Sequence, residues 1–135
     1  ISTPPRHDRL PTSVLEGAWL SQGMHVAAVG GADPYVRELD DEAVQRADLI
    51  VVDDLAQAKI ESGELMMPAS RGLVLWEQMR ELWQVVSGEV AGRNSDDDVT
   101  LFKSLGMGLW DIAAARVGYD NAVASDAGRW LRASS

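Results

Sequence analysis

Two glycines and a carboxylate at the end of an apolar segment form the best candidate site in the sequence. Gly30 and Gly31 close the apolar segment 25–30, and Asp33 lies two residues beyond them. At the carboxyl end of a parallel strand, a backbone without side chains lets a ligand approach closely, and Asp33 could act there as a general acid or base. The alternative is that the glycines only turn the chain and that Asp33 caps the turn before Pro34. The sequence pattern leaves both interpretations open.

A second glycine-rich segment resembles a dinucleotide-binding fingerprint without completing it. Gly106 and Gly108 have the spacing of the first two glycines of that motif, but Asp111 stands where the third belongs. The apolar spacing also places this segment inside a helix, with no strand before it. We therefore predict a close contact of a helix with a neighbour or a bound ligand, and no fingerprint of this kind.

The acidic runs and the two histidines do not predict a metal site. Asp53-Asp54 and the run 96–98 could hold a hard cation, but neither has the spacing of a calcium loop. His7 and His25 are too far apart to form a local pair of ligands. Solvated caps are the prediction for both acidic runs, and no metal is expected.

Composition and charge exclude several classes of function. The chain has 135 residues, with 12 Lys and Arg against 21 Asp and Glu and a formal net charge of −9. This surplus of carboxylates repels nucleic-acid phosphates and anionic membrane surfaces, so neither partner is expected. No apolar run approaches the roughly 20 residues of a membrane span. The absence of cysteine favours a cytoplasmic protein.

The elements that would position these residues form a β-α-β unit. Residues 25–30 and 47–54 are short apolar segments without alternation, which is typical of buried parallel strands. Between them, residues 34–46 show the spacing of a helix, or of a turn followed by a helix, with Asp40 as the expected N-cap. Residues 1–3 are the expected end of a preceding strand. This order predicts an α/β fold with a parallel sheet.

Helices are predicted after the second of these strands. Residues 55–64 contain good helix formers up to Gly63, and residues 71–86 place apolar side chains on one stripe. A polar stretch, 92–98, precedes a long segment of helical spacing, which predicts a helix from about 99 to 121. The whole chain, 1–135, is thus predicted to be a single α/β domain with a long C-terminal helix.

Four segments, taken in order, resemble one protein family. They are GMHVAAVGGADPYVRELDDE (23–42), ADLIVVDD (47–54), ESGEL (61–65) and GRNSDDDVTLFKSLGMGLWDIAAARVGYDNA (92–122). Together they resemble the C-terminal part of the ornithine cyclodeaminase/mu-crystallin family, with VTLFKSLG as the most specific block. Members have a Rossmann domain that binds NAD(H) or NADP(H), inserted into a dimerisation and substrate domain built from both ends of the chain. Their reactions include ornithine cyclodeamination, alanine dehydrogenation and reduction of cyclic ketimines.

The resemblance implies a cofactor site and a substrate position. Thr3 matches a hydroxyl residue that lies near the cofactor in the loop after a Rossmann strand. Ala28, Val29 and Gly30 match a strand end that lies along the nicotinamide. Ser104 matches a residue that reaches the cofactor from the last long helix. Leu105 matches a position beside the substrate. A nicotinamide needs such an apolar ledge and a few polar groups that fix its carboxamide.

The loop after Gly30 departs from two branches of the family. Cyclodeaminases and alanine dehydrogenases usually carry a catalytic Asp where this chain has Ala32, and Asp33 lies one place late. A basic residue found a little further on is replaced by Val36. The mu-crystallin branch also lacks that Asp and shares the sequence RELDDE, so the loop from Gly30 to Leu39 resembles that branch more closely. Asp33 is the local candidate for proton transfer.

Two hypotheses of function follow. The first is the C-terminal portion of an NAD(P)-dependent oxidoreductase or deaminase acting on an amino acid or its cyclic imine, with a helix at about 95–122 returning to the dimerisation domain. The glycine-rich fingerprint and the N-terminal Arg and Lys that hold a substrate carboxylate are absent from these residues. The chain is therefore expected to be inactive alone and to pair as a homodimer or with an N-terminal half. The second hypothesis is a non-catalytic half-Rossmann module for dimerisation or partner binding.

Overall fold

The sheet at the centre of the fold contains parallel strands only. The computed structural model describes residues 2–3, 13–129 and 131. In this part of the chain the strands are β1 Ser2–Thr3, β2 His25–Ala28, β3 Leu49–Val52, β4 Arg80–Glu81 and β5 Thr100–Lys103. Their order is β1-β2-β5-β3-β4, and every neighbouring pair is parallel. The prediction of an α/β fold with a parallel sheet is confirmed.

The helices of the described residues connect the strands and follow the last one. They are α1 Asp41–Gln45, α2 Leu55–Glu61, α3 Gly63–Ser70, α4 Leu82–Val86 and α5 Gly108–Ala124. Asp40 is the N-cap of α1, as predicted, and its carboxylate accepts from the Ala43 N–H at 2.7 Å. The same carboxylate also accepts from the Gly17 N–H at 2.9 Å. Asp40 thereby joins the start of α1 to a segment more than twenty residues earlier in the chain.

Strand β5 is the centre of the sheet because it pairs with both β2 and β3. Leu101 lies in register with Val26 on one side and Ile50 on the other. Side chains alternate along a strand, so these three share one face. That face is buried, and it forms the core together with helix residues such as Val44 and Leu65. Burying a side chain of this size stabilises the fold by about 1.5–3 kcal/mol.

The predicted long helix begins later than the sequence spacing indicates. Residues 100–103, which were expected inside a helix over about 99–121, form β5, and the helix starts only at Gly108. The same correction applies to the helix at about 95–122 that the resemblance implied. Two observations explain the strand. Residues 100–103 pair on both sides, and Gly106 has a φ of +86° that no right-handed helix tolerates.

Two other helix predictions need correction. The stripe over 71–86 belongs to a 3-10 turn at Trp76–Gln78, the short strand β4 and the five-residue helix α4. Gly63 does not end the helix over 55–64, because Ser62 ends α2 and Gly63 begins α3. A Cβ at Gly63 would lie 2.5 Å from the Val36 carbonyl oxygen. The close approach of α3 to the loop after β2 therefore requires a glycine there.

The chain divides into two compact units, residues 1–105 and 106–135. The first contains the whole sheet and α1–α4, while the second contains α5, a helix of 17 residues. Within α5, Arg116 and Asp120 form an ion pair one turn apart at 2.8 Å. Among the residues that the structure describes, no helix is both long enough and apolar enough to cross a membrane.

Candidate functional site

The sequence-predicted site residues meet at one edge of the sheet. Because parallel strands end at the same edge, the segments after β2, β3 and β5 lie side by side there. These segments carry Gly30, Asp53 and Ser104, and the Ser104 N–H donates to the Ala28 carbonyl at 2.9 Å. Thr3 pairs with Ala28 at the end of β1, but its side chain lies outside the described residues. We call this edge the carboxyl edge.

Lys103 is buried beneath the Gly30-Gly31 turn. Its side chain is 0% exposed, because it lies on the inward face of the sheet beside Ala28 and Val52. The ammonium donates to the Gly30 carbonyl at 2.6 Å and to the Gly31 carbonyl at 3.1 Å. It also forms an ion pair with Glu64 at 2.9 Å. A buried cation is therefore bonded to the backbone of the candidate loop.

Glu38 holds the same turn from another side. The Gly30 N–H donates to the Glu38 carboxylate at 3.2 Å, and Glu38 is only 1% exposed. A Cβ at Gly30 would lie 1.8 Å from Glu38 Oε1. Gly31 has a φ of +28°, in the left-handed region. Of the two interpretations of this glycine pair, the turn is thus observed, and Gly30 makes room for a buried carboxylate.

Burial raises the pKa of Glu64 above its usual value. Desolvation is the largest cause, and the Lys103 cation opposes it by favouring the charged carboxylate. Nearby Glu38 acts in the same direction as burial. The folded chain therefore binds a proton at Glu64 more readily than the unfolded chain does.

This shift predicts a pH-dependent stability that Glu64→Gln removes. A raised pKa in the folded state means that Glu64 contributes fully below its unfolded pKa and loses that contribution as the pH rises through the folded value. We expect the stability of Glu64→Gln relative to the natural chain to increase with pH over this range. Urea titrations at several pH values measure this difference in stability, with Glu77→Gln, a substitution at an exposed glutamate, as the control. A constant difference between the two chains would contradict the prediction.

Asp53 fixes the start of the segment after β5. Its carboxylate accepts from the Ser104 hydroxyl at 2.9 Å and from the Leu105 N–H at 2.8 Å. Asp53 is 4% exposed, so the prediction of a solvated cap is wrong for this residue. The capping role is confirmed for Asp54, which is half-buried, is the N-cap of α2 and accepts from the Gln57 N–H at 2.7 Å.

Asp53→Ala is expected to lower the free energy of unfolding by about 1.5–3 kcal/mol, because two hydrogen bonds to a charged acceptor are lost in a buried place. Asp54→Ala removes a helix cap and is the matched control, with an expected loss of about 1 kcal/mol. Denaturant unfolding followed by tryptophan fluorescence measures both. An Asp53→Ala chain no less stable than Asp54→Ala would show that these bonds contribute little.

Asp33 makes the contacts of a turn residue. Its carboxylate accepts from the Tyr35 N–H at 2.8 Å, and its backbone forms a bridge with Ser62. Asp33 is half-buried and Ala32 is exposed. The capping role weighed in the sequence is therefore observed, and proton transfer by Asp33 stays a prediction.

The other predicted positions differ in how much of them a ligand can reach. Ala28 is fully buried in the core, and Gly30 is also buried. The Val29 side chain is 47% exposed at the carboxyl edge. Leu105 is half-buried and packs against the core cluster. Ser104 follows β5 directly and does not lie on the long helix from which the resemblance had it reach a cofactor.

The amino-terminal edge of the sheet holds His25. Its Nδ1 lies 2.8 Å from Thr100 Oγ1, and Arg93 is also within reach of that hydroxyl at 3.4 Å. Partial burial lowers the pKa of His25, and the positive charge of Arg93 acts in the same direction. No group of three His, Asp or Glu residues in the described part of the chain has the arrangement of a metal site.

Sequence reasoning missed the charged residues below the carboxyl edge, which are Glu38, Glu64 and Lys103. Lys103 carried a usable signal, since it is a lone cation in the apolar run VTLFKSLG. Once that run is assigned to a strand, period-two alternation places Lys103 on the same face as Leu101 and so in the core. The helix assignment hid this.

The fold matches that of enzymes with a Rossmann-like domain. A solved structure of the Delta(1)-pyrroline-2-carboxylate reductase of Thermococcus litoralis, in complex with NADH and L-proline, is similar with a TM-score of 0.80 and 31% sequence identity over 91% of this chain. The alanine dehydrogenase of Archaeoglobus fulgidus is 38% identical over 88% of this chain. A Delta(1)-pyrroline-2-carboxylate reductase of Bacillus thuringiensis is 40% identical over 81% of it.

A sequence profile of the ornithine cyclodeaminase/mu-crystallin family matches residues 2–126. The chain belongs to this family, and the resemblance noted in its four sequence segments is confirmed. It spans only about a third of its curated relatives, since it covers 37% of the alanine dehydrogenase and 34% of the Bacillus reductase. It likewise covers 38% of the solved reductase.

Proposed function

We propose that this chain is the nicotinamide-facing, C-terminal part of an NAD(P)-dependent oxidoreductase or deaminase that acts on an amino acid or its cyclic imine. The observation that carries the proposal is the arrangement of side chains at the carboxyl edge. There the half-exposed Val29 side chain lies beside a glycine turn, next to a hydroxyl that a buried carboxylate orients. The NADH and L-proline in the similar Thermococcus structure support the choice of cofactor and substrate class.

The residues present fit the nicotinamide end of the cofactor. Ser104 donates its hydroxyl proton to Asp53 at 2.9 Å, so its lone pairs are left to accept from a carboxamide N–H. Val29 supplies an apolar surface at the same edge. The described residues offer one apolar and one polar group of the kind that a nicotinamide requires.

The reaction we propose is reduction of an imine or its reverse. When bound, NAD(P)H supplies a hydride from nicotinamide C4 to the imine carbon, and the imine nitrogen gains a proton. The chain's own part is to orient the ring through Ser104 and Val29 and to keep that face dry. Asp33 is the proposed proton donor, with one carboxylate oxygen held by the Tyr35 N–H.

We place the active protein in the cytoplasm, as a homodimer or paired with the rest of its domain. The relatives' much greater length supports pairing with further residues.

The experiment is a titration of the 135-residue chain with reduced nicotinamide mononucleotide, NADH, NADPH and AMP, followed by tryptophan emission. We expect the three nicotinamide compounds to bind and AMP to bind much more weakly. Ser104→Ala should weaken nicotinamide binding about fivefold, the loss of one hydrogen bond. Ser87→Ala, which changes an exposed hydroxyl at the end of α4, is the matched control. Equal binding of AMP, or no binding of any nicotinamide compound, would overturn the proposal for this chain.

A second candidate function is supported by the outer face of the sheet. Leu49, Val51 and Phe102 on that face, with Leu82 and Val85 of α4, line an apolar groove of about 270 Å³. The opposite face is fully covered by the core. An open apolar groove favours a module that binds a partner or a second copy of itself. Sedimentation of the chain over a range of concentrations tests this, and a monomer at every concentration would exclude self-association.

A further inference from the structure

The buried cation below the carboxyl edge has a more specific role than charge balance. We propose that Lys103 is a positioning residue that clamps the Gly30-Gly31 turn onto β5 and so holds it in the conformation that faces the cofactor. The cofactor half of this inference rests on the proposed function. The clamp itself concerns only the chain's own backbone and is tested separately from any ligand.

The bonds of Lys103 point to the turn. Among the described residues, three oxygen atoms surround its Nζ: the Gly30 carbonyl at 2.6 Å, the Gly31 carbonyl at 3.1 Å and Glu64 Oε1 at 2.9 Å. An ammonium has three protons to donate. Two of the three are thus directed to consecutive backbone carbonyls of one turn, and the third is directed to the carboxylate that balances the charge.

The position of Lys103 in the strand makes the clamp local to the site. The next residue in the chain is Ser104, the hydroxyl at the carboxyl edge, so one side chain joins that strand end to the glycine turn. Glu38 adds a second attachment by accepting from the Gly30 N–H at 3.2 Å. Both sides of the Gly30 backbone are therefore bonded to side chains that are at most 1% exposed. Supporting contacts of this kind are what keeps a binding geometry fixed.

A role in core packing alone does not explain a lysine at this position. Its neighbours on the inward face in the same register are Ala28 and Val52, and the previous inward residue of β5 is Leu101. An apolar side chain would satisfy such surroundings without the desolvation penalty of a buried charge. The bonds that Lys103 makes to the turn are what an apolar residue could not supply.

The Lys103 side chain can be observed selectively because the chain contains few lysines. The chain contains two lysines, Lys59 and Lys103. Lys59 is exposed on α2 and lies 5.8 Å from the centre of the Trp76 ring. Lysine-selective isotope labelling therefore gives two side-chain signals, and Lys59→Met assigns them. Lys59→Met is also the matched control for every variant at position 103.

The test uses Lys103→Met/Glu64→Met, which removes both members of the ion pair together. Replacing a buried pair by apolar residues of similar volume is often neutral for stability, so we expect a free energy of unfolding close to that of the natural chain. The Gly30 and Val36 amides should nevertheless exchange with solvent about tenfold faster, because the turn opens locally. Exchange rates equal to those of the natural chain and of Lys59→Met would overturn the clamp.

A second measurement decides the question if the double variant does not fold. In the natural chain, the clamp predicts scalar couplings across the hydrogen bonds from Lys103 Nζ to the carbonyl carbons of Gly30 and Gly31. Their absence, with the Lys103 signal itself observed, would overturn the clamp.

The cofactor part of the inference is tested with reduced nicotinamide mononucleotide. If the clamp preorganises the site, the double variant should bind it about tenfold more weakly than Lys59→Met does. Equal affinity of both variants for this compound would overturn the cofactor role. The amide exchange rates would then still decide whether the clamp exists. Failure of the natural chain to bind any nicotinamide compound would overturn the proposed function, while the exchange and coupling results would still decide the clamp.

Discussion

Lys103→Met is expected to lower the free energy of unfolding of the chain by about 3–5 kcal/mol, a larger loss than we expect from Asp53→Ala. The substitution leaves Glu64, which is 1% exposed, without the cation that lies 2.9 Å away. It also leaves the Gly30 and Gly31 carbonyls without their ammonium donor. The desolvation cost of a buried carboxylate is then no longer offset, and that cost dominates the expected loss.

Denaturant titration followed by tryptophan fluorescence measures the change, with Lys59→Met as the control. Lys59 is exposed and its contact with the Trp76 ring contributes about 0.5–1 kcal/mol. The loss at position 103 should be largely reversed when Glu64→Met is added, because the orphaned carboxylate is then removed as well. A Lys103→Met chain as stable as Lys59→Met would mean that the buried ion pair contributes nothing, contrary to what its burial and geometry predict.

Gly30→Ala is expected to lower the free energy of unfolding by about 2–4 kcal/mol, through steric overlap and loss of a buried hydrogen bond. The new methyl group would lie 1.8 Å from Glu38 Oε1. Glu38 is only 1% exposed, so its carboxylate is enclosed by neighbouring parts of the chain. Relief of the clash must displace either the Glu38 side chain or the turn, and both movements disturb the carboxyl edge.

The control for this substitution is Gly92→Ala. A Cβ at Gly92 meets its nearest neighbour, Val85 Cγ1, at an ordinary 3.5 Å, so a change within about 0.5 kcal/mol is expected. Thermal or denaturant unfolding of the two variants gives the comparison. If Gly30→Ala proves as mild as Gly92→Ala, the turn is not packed tightly against the Glu38 carboxylate.

Much of the sheet was predictable because its strands carry strong local signals. The segments 25–30 and 47–54 are continuous apolar runs bounded by turn formers, and both contain the strands expected of them. Asp40 was predictable for the same reason, since an N-cap acts within one turn of its helix. Such features depend on residues close together in the chain.

The errors arose where pairing across the chain overrides local spacing. Residues 100–103 have apolar positions compatible with a helix, but β2 and β3 flank them and pair with them on both sides. The local sequence pattern does not indicate that β2 and β3 are separated in the sheet by the width of one strand, which β5 fills. The 3-10 turn at Trp76–Gln78 and the strand β4 were missed because each has at most three residues, too few to establish a period.

Part of the candidate site was likewise predictable from the sequence, and part was not. That Gly30 follows a strand and lies at an edge was predictable from the pattern of the chain, whereas the cofactor roles of Val29 and Ser104 came from the family resemblance. The bonds of Lys103, Glu38 and Asp53 join segments up to 73 residues apart. Only the folded arrangement reveals them.

The measurement that tests the central claim most directly is residue-resolved: amide chemical shifts of the 135-residue chain during addition of reduced nicotinamide mononucleotide. We predict saturable shifts at the carboxyl edge, in the segment 29–33 and at Ser104 and Leu105, with little change at His25 and Thr100 on the opposite edge. Shifts confined to the opposite edge, or none at millimolar concentration, would contradict the claim that this chain carries the nicotinamide-facing part of the site.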